Sequence, residues 1–157
     1  MAQQIPIKDF MTKNVLVVHP ETPLLDAAKI IIDHSFNGLP VVDKNNEVVG
    51  ILTQYDLVGK GSILHLPTLQ YIAKNLQPAE QSQFKAEGDK ISDLTVGDVM
   101  RREHLTLNEN DSMETAIELF ANNHINPVPV IDAGGKLVGL ISRFDLIKPL
   151  MTLHPGQ

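Results

Sequence analysis

Shifted by 89 residues, the chain lies on itself. Residues 9–57 align with 98–146 without a gap, and 12 of the 49 pairs are identical. The identical pairs include Asp9 and Asp98, Met11 and Met100, Asn37 and Asn126, Pro40 and Pro129, Asp43 and Asp132, Gly50 and Gly139, and Asp56 and Asp145. A unit of about 50 residues buries too little apolar surface to stand alone, so two copies must share a core or an interface. Many of the repeated residues are turn formers, prolines and acids, where core packing alone would tolerate substitution.

Each copy predicts the order β-α-β-β-α. Val15-Leu-Val-Val18 is a short, largely β-branched run and predicts a first strand. Thr22 is placed to cap a helix with Pro23 in its first turn, and Leu24, Ala27, Ala28 and Ile31 recur at helical spacing. In the second copy the equivalents are Met113, Ala116, Ile117 and Phe120, with Asp111 as the cap and Glu114 as a capping-box acid. Leu39-Pro-Val-Val-Asp43 and Val128-Pro-Val-Ile-Asp132 predict second strands. Hairpin turns follow at Lys44-Asn-Asn46 and Ala133-Gly-Gly135. Val48–Leu52 and Leu137–Ile141 predict third strands, and short helices open near Thr53 and Ser142. The class is α/β (α+β), with two pseudo-symmetric units packed sheet to sheet and a cleft between them. Between the copies, Leu69–Leu76 has one apolar face and predicts an extra helix, with Thr68 as its cap.

Composition narrows the function. Lys and Arg number 13 against 19 Asp and Glu, a net charge of −6, which disfavours a general nucleic-acid binder. With no cysteine, disulfides, thiolate metal sites and thiol catalysis are excluded. The six histidines form no HExxH pair, and neither a Gly-x-Ser-x-Gly elbow nor a phosphate-binding Gly-x-x-x-x-Gly-Lys-Ser/Thr loop is present. No enzyme and no metal site are expected. No apolar run approaches the roughly 18–20 residues of a bilayer-spanning helix, and the N-terminus has no signal-peptide pattern. A cytoplasmic address is the expectation.

The repeated motifs resemble the tandem CBS domain pair, or Bateman module, of the stand-alone bacterial or archaeal type. The resemblance rests on Asp9-Phe-Met11 with Asp98-Val-Met100, and on Leu39-Pro-Val-Val-Asp43 with Val128-Pro-Val-Ile-Asp132. It rests most on Gly50-Ile-Leu-Thr-Gln-Tyr-Asp56 and Gly139-Leu-Ile-Ser-Arg-Phe-Asp145, which match a Gly-hydrophobic-x-Thr/Ser-x-x-Asp/Asn pattern. It implies CBS domains over 1–62 and 96–151, a spacer over 63–95 and a tail over 152–157. It also implies sensing of an adenosine compound, AMP or ATP foremost, as a regulatory ligand rather than an obligatory cofactor. Occupancy would pass to an unidentified protein partner, and modules would pair as homodimers. We expect the dimer contact on the apolar faces of the Leu24 and Met113 helices, with the spacer helix around Ile72 as a rival surface. S-adenosylmethionine or another adenosine compound is an alternative ligand. An interaction module with vestigial clefts is an alternative function.

Physically, Thr53 with Asp56, and Ser142 with Asp145, stand three apart at a helix start. They can cap that helix, they can hold ribose hydroxyls, or they can do both. The resemblance places the base pocket at the entries to the first and second strands. These are Asn14-Val15 with Leu39-Pro40, and Glu103-His104 with Val128-Pro129. His104 could stack on a base, meet a phosphate or sit in solvent. The chain has three arginines, Arg101, Arg102 and Arg143, all in the second copy. They suit bidentate phosphate contact, or they are ordinary surface charge. The expectation is one phosphate-binding cleft containing Ser142, Arg143 and Asp145, with Lys13 or His104 assisting. Pro127 stands where the first copy has Gly38 and removes a backbone donor, so the two clefts should be unequal.

Overall fold

The computed structural model describes residues 4–58, 92–123 and 125–153; the helix expected over 69–76 lies outside them. The first unit contains α1 (Leu24–His34), β1 (Gly38–Val42), β2 (Val48–Thr53) and α2 (Gln54–Val58). A short helix, α3 (Val96–Val99), precedes the second unit. That unit contains β3 (Leu107–Asn108), α4 (Met113–Asn122), β4 (Val128–Ile131), β5 (Leu137–Ile141) and α5 (Arg143–Ile147). A 3-10 helix, Lys148–Leu153, follows. The antiparallel pairs match under the 89-residue shift, Gly38↔Thr53 through Val42↔Val48 in one unit and Val128↔Ile141 through Ile131↔Leu137 in the other.

The predicted first strand shrinks to a bridge. Only Val18 pairs with Val41, and in the second unit only Leu107 and Asn108 pair with Val130 and Ile131. The cause is proline. Val18 N–H donates to the Pro40 carbonyl and Val42 N–H to the Val18 carbonyl, but Pro40 has no N–H to carry the ladder back to Leu16. The ladder also stops forward. Glu109 N–H donates to the Ile131 carbonyl, whereas its counterpart is Pro20. There the His19 ring substitutes, Nδ1 donating to the Val42 carbonyl at 2.9 Å.

Each unit lends its leading segment to the other. The 3-10 turn Ile7–Asp9 buries Ile7 among Leu107, Ala116, Val128, Val130 and Ile141 of the second unit. Reciprocally, Val96 and Met100 join Val18, Leu24, Ala27, Leu39 and Leu52 of the first. The bridges are symmetric mates: Pro6↔Ser112 with Pro23↔Thr95, and Thr12↔Leu140 with Ile51↔Arg101. The exchange also serves the helices. Leu24 N–H, an orphan donor at the start of α1, reaches the Leu94 carbonyl, and Met113 N–H reaches that of Ile5.

The predicted caps are therefore replaced. Pro23 occupies the N-cap of α1, and the Thr22 hydroxyl instead accepts from His19 N–H at 3.0 Å. Ser112 caps α4, accepting from Thr115 N–H, while Asp111 accepts from Asn108 N–H. With Ser112 at the cap, the third helical position falls on Thr115 and not on Glu114. The leading helices differ for a related reason. Thr95 and Asp98 close a capping box on α3, but Pro6 stands at the Thr95 position without a hydroxyl or N–H, and the first copy is only a 3-10 turn.

The sheets meet across the pseudo-two-fold axis. Glu47 and Lys136, each other's counterpart under the shift, bridge β2 to β5, and Leu137 N–H donates to the Asn46 carbonyl. At the other end a Cβ added to Gly38 would lie 3.2 Å from the ring of its counterpart, Pro127.

Candidate functional site: two clefts between the units

Two clefts flank the axis, of about 400 and about 700 Å³, within the range of small-molecule sites. Their walls correspond under the shift of 89. The smaller is lined by Thr12, Asn14, Val15, Leu16, Phe36 and Leu39 on one side and by Leu140, Ser142, Phe144, Asp145 and Lys148 on the other. The larger is lined by Arg101, Glu103, His104, Leu105, Ile125 and Asn126, facing Ile51, Thr53, Gln54 and Tyr55, with Arg143 also on its wall. Each cleft thus joins the strand-entry segment of one repeat to the Thr/Ser-x-x-Asp turn of the other. Asn37 lines both.

In the smaller, Asp145 cleft the carboxylate divides its work. Oδ2 accepts from Ser142 N–H (2.8 Å) and Ser142 Oγ (3.1 Å), completing the capping box that starts α5. Oδ1 accepts a long 3.4 Å contact from Thr12 Oγ1 and has Lys148 Nζ at 3.5 Å. Asp145 is only 4% exposed, the single charged residue in the described core. Such a carboxylate keeps its place only with partners, and a diol offers two donors to the oxygen that the cap leaves over. Val15 and Leu39 supply an apolar wall beside it. At the mouth, Asn14 adopts the left-handed conformation (φ 56°), which asparagine tolerates. Lys148 also lies over the Phe144 ring, 5.3 Å from its centroid.

The larger, Arg143 cleft repeats the cap with Asp56 Oδ2 accepting from Thr53 N–H (2.8 Å) and Oγ1 (3.0 Å). Its Oδ1, however, is taken by Arg101 Nε at 3.1 Å. Arg143 makes no ion pair among the described residues; its backbone N–H is held by Asn126 Oδ1 at 3.1 Å. His104 Nδ1 donates to the Arg102 carbonyl at 2.8 Å.

The site residues read from sequence divide accordingly. Asn14, Val15, Leu39, Ser142 and Asp145 line one cleft, and Thr53, Arg101, His104 and Arg143 line the other. The three residues expected in one cleft divide, Ser142 and Asp145 lining the smaller and Arg143 the larger. Pro40, Val128 and Pro129 are buried in β1 and β4 behind the walls. Lys13 is exposed outside both linings, Arg102 is turned to the Gly97 carbonyl, and Asp56 sits behind Arg101. Sequence reasoning missed Thr12, Phe36, Tyr55, Asn126, Phe144 and Lys148. Asn37 and Asn126 carried a signal as an identical pair, as did the aromatic pair Tyr55 and Phe144.

Among the described residues no group of three or more His, Asp or Glu is arranged for a metal ion, and no helix is long and apolar enough to cross a membrane.

Comparison with known proteins places this architecture. The family model for the CBS domain matches residues 7–62 and 96–152. The chain is 32% identical over 155 residues to the chloroplastic CBS domain-containing protein CBSX2 of Arabidopsis thaliana, covering 94% of this chain and 64% of that protein. It therefore spans somewhat less than two thirds of that relative. An uncharacterised protein of Methanocaldococcus jannaschii is 30% identical over 154 residues, covering 92% and 90% of the two chains. A crystal structure of CBSX2 in complex with AMP superposes with a TM-score of 0.69 at 27% identity, over 94% and 97% of the chains. The CBS domain pair of protein MJ0100, in complex with 5-methylthioadenosine and S-adenosyl-L-methionine, gives 0.64 at 25% identity, over 93% and 99%. The duplicated units, their exchanged leading segments and the family match agree: the chain belongs to the CBS domain family, as a tandem pair.

Proposed function

We propose that this CBS pair is a regulatory module that binds adenosine compounds in its two clefts and passes occupancy to a protein partner. The Asp145 cleft takes the nucleoside part. Asp145 Oδ1 accepts the ribose hydroxyls, Ser142 keeps the carboxylate in place through the cap, and Val15 and Leu39 face the base. The Arg143 cleft takes a phosphorylated ligand, AMP or ATP, with Arg101, Arg143 and His104 at the phosphate. The observation that carries this reading is a buried carboxylate on the wall of a cleft between the repeats, one oxygen held in the cap and the other with only long contacts, to Thr12 and Lys148. The AMP bound to CBSX2 and the adenosine compounds bound to MJ0100 support the ligand class.

Because each cleft has walls from both repeats, a ligand that favours one angle between them shifts that angle's population. Pairing of two copies is part of the same reading, through the apolar faces of the Leu24 and Met113 helices. Leu24 is buried in the core, so the available apolar residues on these helices are Leu25 (49% exposed), Ile32 (74%) and Ile117 (48%). Light scattering should give twice the 17.3 kDa chain mass.

Two measurements test the ligand. Mass spectrometry of molecules released on denaturing the gently purified protein should find an adenosine compound. Asp145→Asn keeps an oxygen for the cap but replaces the ribose acceptor with an amide. It should weaken adenosine and AMP alike in the Asp145 cleft by about 2–3 kcal/mol, the scale of hydrogen bonds to a charged group. Unchanged titration of both ligands would remove the ribose assignment.

A further inference from the structure

We propose that Arg101 is a phosphate-operated latch on the Arg143 cleft, so that this cleft admits nucleotides and rejects the bare nucleoside. The inference deepens the functional reading above and rests on it. The two clefts are built on one backbone plan, yet the oxygen that would receive a ribose is in different states. At Asp145 its contacts are the neutral Thr12 hydroxyl at 3.4 Å and Lys148 Nζ at 3.5 Å, both long, and neither comes from an arginine. At Asp56 the counterpart of Thr12 is Arg101, and Nε donates to Oδ1 at 3.1 Å. The Asp56 side chain is 9% exposed and the Arg101 side chain 50%, so the acid is shielded while its cation can be reached from the cleft.

The exchange of partners explains the selectivity. A nucleoside entering this cleft must trade a charge-assisted hydrogen bond for neutral hydroxyl donors, which are weaker. It leaves the guanidinium without its anion. A nucleotide brings a second anion. Arg101 moves its donors from Asp56 to the phosphate, and the freed carboxylate receives the ribose, so both charges stay paired. Arg143 and His104 line the same cleft and add donors for the phosphate. The acidic member of the lining, Glu103, raises the cost for any anion that does not engage the arginines.

The latch can be removed without disturbing its support. Arg101 N–H donates to the Ile51 carbonyl and accepts from Ile51 N–H at its own carbonyl, at 2.9 and 3.0 Å. Thr12 makes the same bridge to Leu140 at 2.8 and 3.0 Å. Threonine therefore fits this backbone position, and Arg101→Thr converts one cleft into the likeness of the other.

Calorimetric titration of the full chain with adenosine and with AMP provides the test. The wild type should bind one adenosine and two AMP per chain. Arg101→Thr should gain a second adenosine site, tighter by roughly ten- to a hundredfold than in the wild type, and lose AMP affinity at that site. Asp145→Asn combined with Arg101→Thr should keep one adenosine site, at Asp56. Two adenosine sites in the wild type, or one in a folded Arg101→Thr, overturn the latch while leaving the Asp145 reading intact. Failure of wild-type adenosine binding overturns the Asp145 reading itself, and the latch with it. If Arg101→Thr does not fold, the wild-type ratio of adenosine to AMP sites alone decides.

Discussion

The Asp145 cleft and the Arg143 cleft descend from one duplicated plan and differ at a few side chains. Both keep the Gly, the Thr or Ser, and the Asp, because the same carboxylate oxygen closes the same cap in each. What differs is delivered by the exchanged segments: Thr12 against Arg101, and Val15 against His104. At the next turn the counterparts Gln54 and Arg143 both line the second cleft. The first cleft sets Val15 and Leu39 beside a buried acid whose second oxygen has only the long contacts of Thr12 and Lys148, and the second sets Arg101 directly on the matching oxygen. Duplication thus preserved the backbone and the acid that organises each turn, while the residues facing each acid diverged. Two binding chemistries can follow from one fold unit because the cap uses only half of the carboxylate.

The largest expected effect breaks the comparison at its support. Ile7 is fully buried in the second unit although it precedes the first. Ile7→Ala should cost about 2–5 kcal/mol in denaturant unfolding. It should also loosen the segment that carries Thr12 to Asp145 before it affects the other cleft. An exposed-like cost of a few tenths would mean that this segment does not pack there.

Next is Gly50→Ala. Its Cβ would lie 2.8 Å from the Arg101 carbonyl oxygen and 2.8 Å from Met100 Sδ. The expected cost is about 1–3 kcal/mol for overpacking, with AMP binding lost mainly in the Arg143 cleft. Gly139→Ala should mirror it, pressing on Met11 and Thr12 and disturbing the Asp145 cleft instead. Thermal melts with and without each ligand would separate the two.

Thr12→Arg carries the Arg101 chemistry into the Asp145 cleft. It places a guanidinium opposite Asp145 and should make that cleft prefer AMP over adenosine, by about tenfold if the new contact matches an ordinary charged hydrogen bond. Competition between the two ligands measures the ratio.

The smallest effect lies in the exchanged helices. The Asp98 carboxyl is held below its usual value by the Thr95 backbone N–H first and the Thr95 hydroxyl second. Its folded value is below its unfolded one, so its contribution to stability is full above the unfolded value. That contribution fades as pH falls through the folded one. Asp98→Asn should flatten this acid limb of the stability curve, slightly, because the group is exposed.

Much of the fold was legible because the duplication counts the same evidence twice. The hairpins over Gly38–Thr53 and Val128–Ile141 follow from their β-branched runs and turn residues. The exchange of leading segments was not legible. An ungapped shift aligns equally well whether Ile7 packs on its own unit or on the other. Nor was it legible that Arg143 and Asp145, two residues apart in sequence, line different clefts. The caps failed at Thr22 and Asp111 because Leu94 and Ile5 serve the first N–H of each helix, and those partners are distant in the chain. Val15–Val17 read as strand from β-branching, and the missing Pro40 N–H overruled it.

The most direct test of unequal, cross-repeat clefts is a crystal structure of the chain grown with adenosine. One nucleoside per chain is expected, its ribose hydroxyls within hydrogen-bond distance of Asp145 and its base against Val15 and Leu39. A nucleoside with its ribose on Asp145 and its base against His104, or one seated on Asp56 with the Arg101 contact intact, would contradict it.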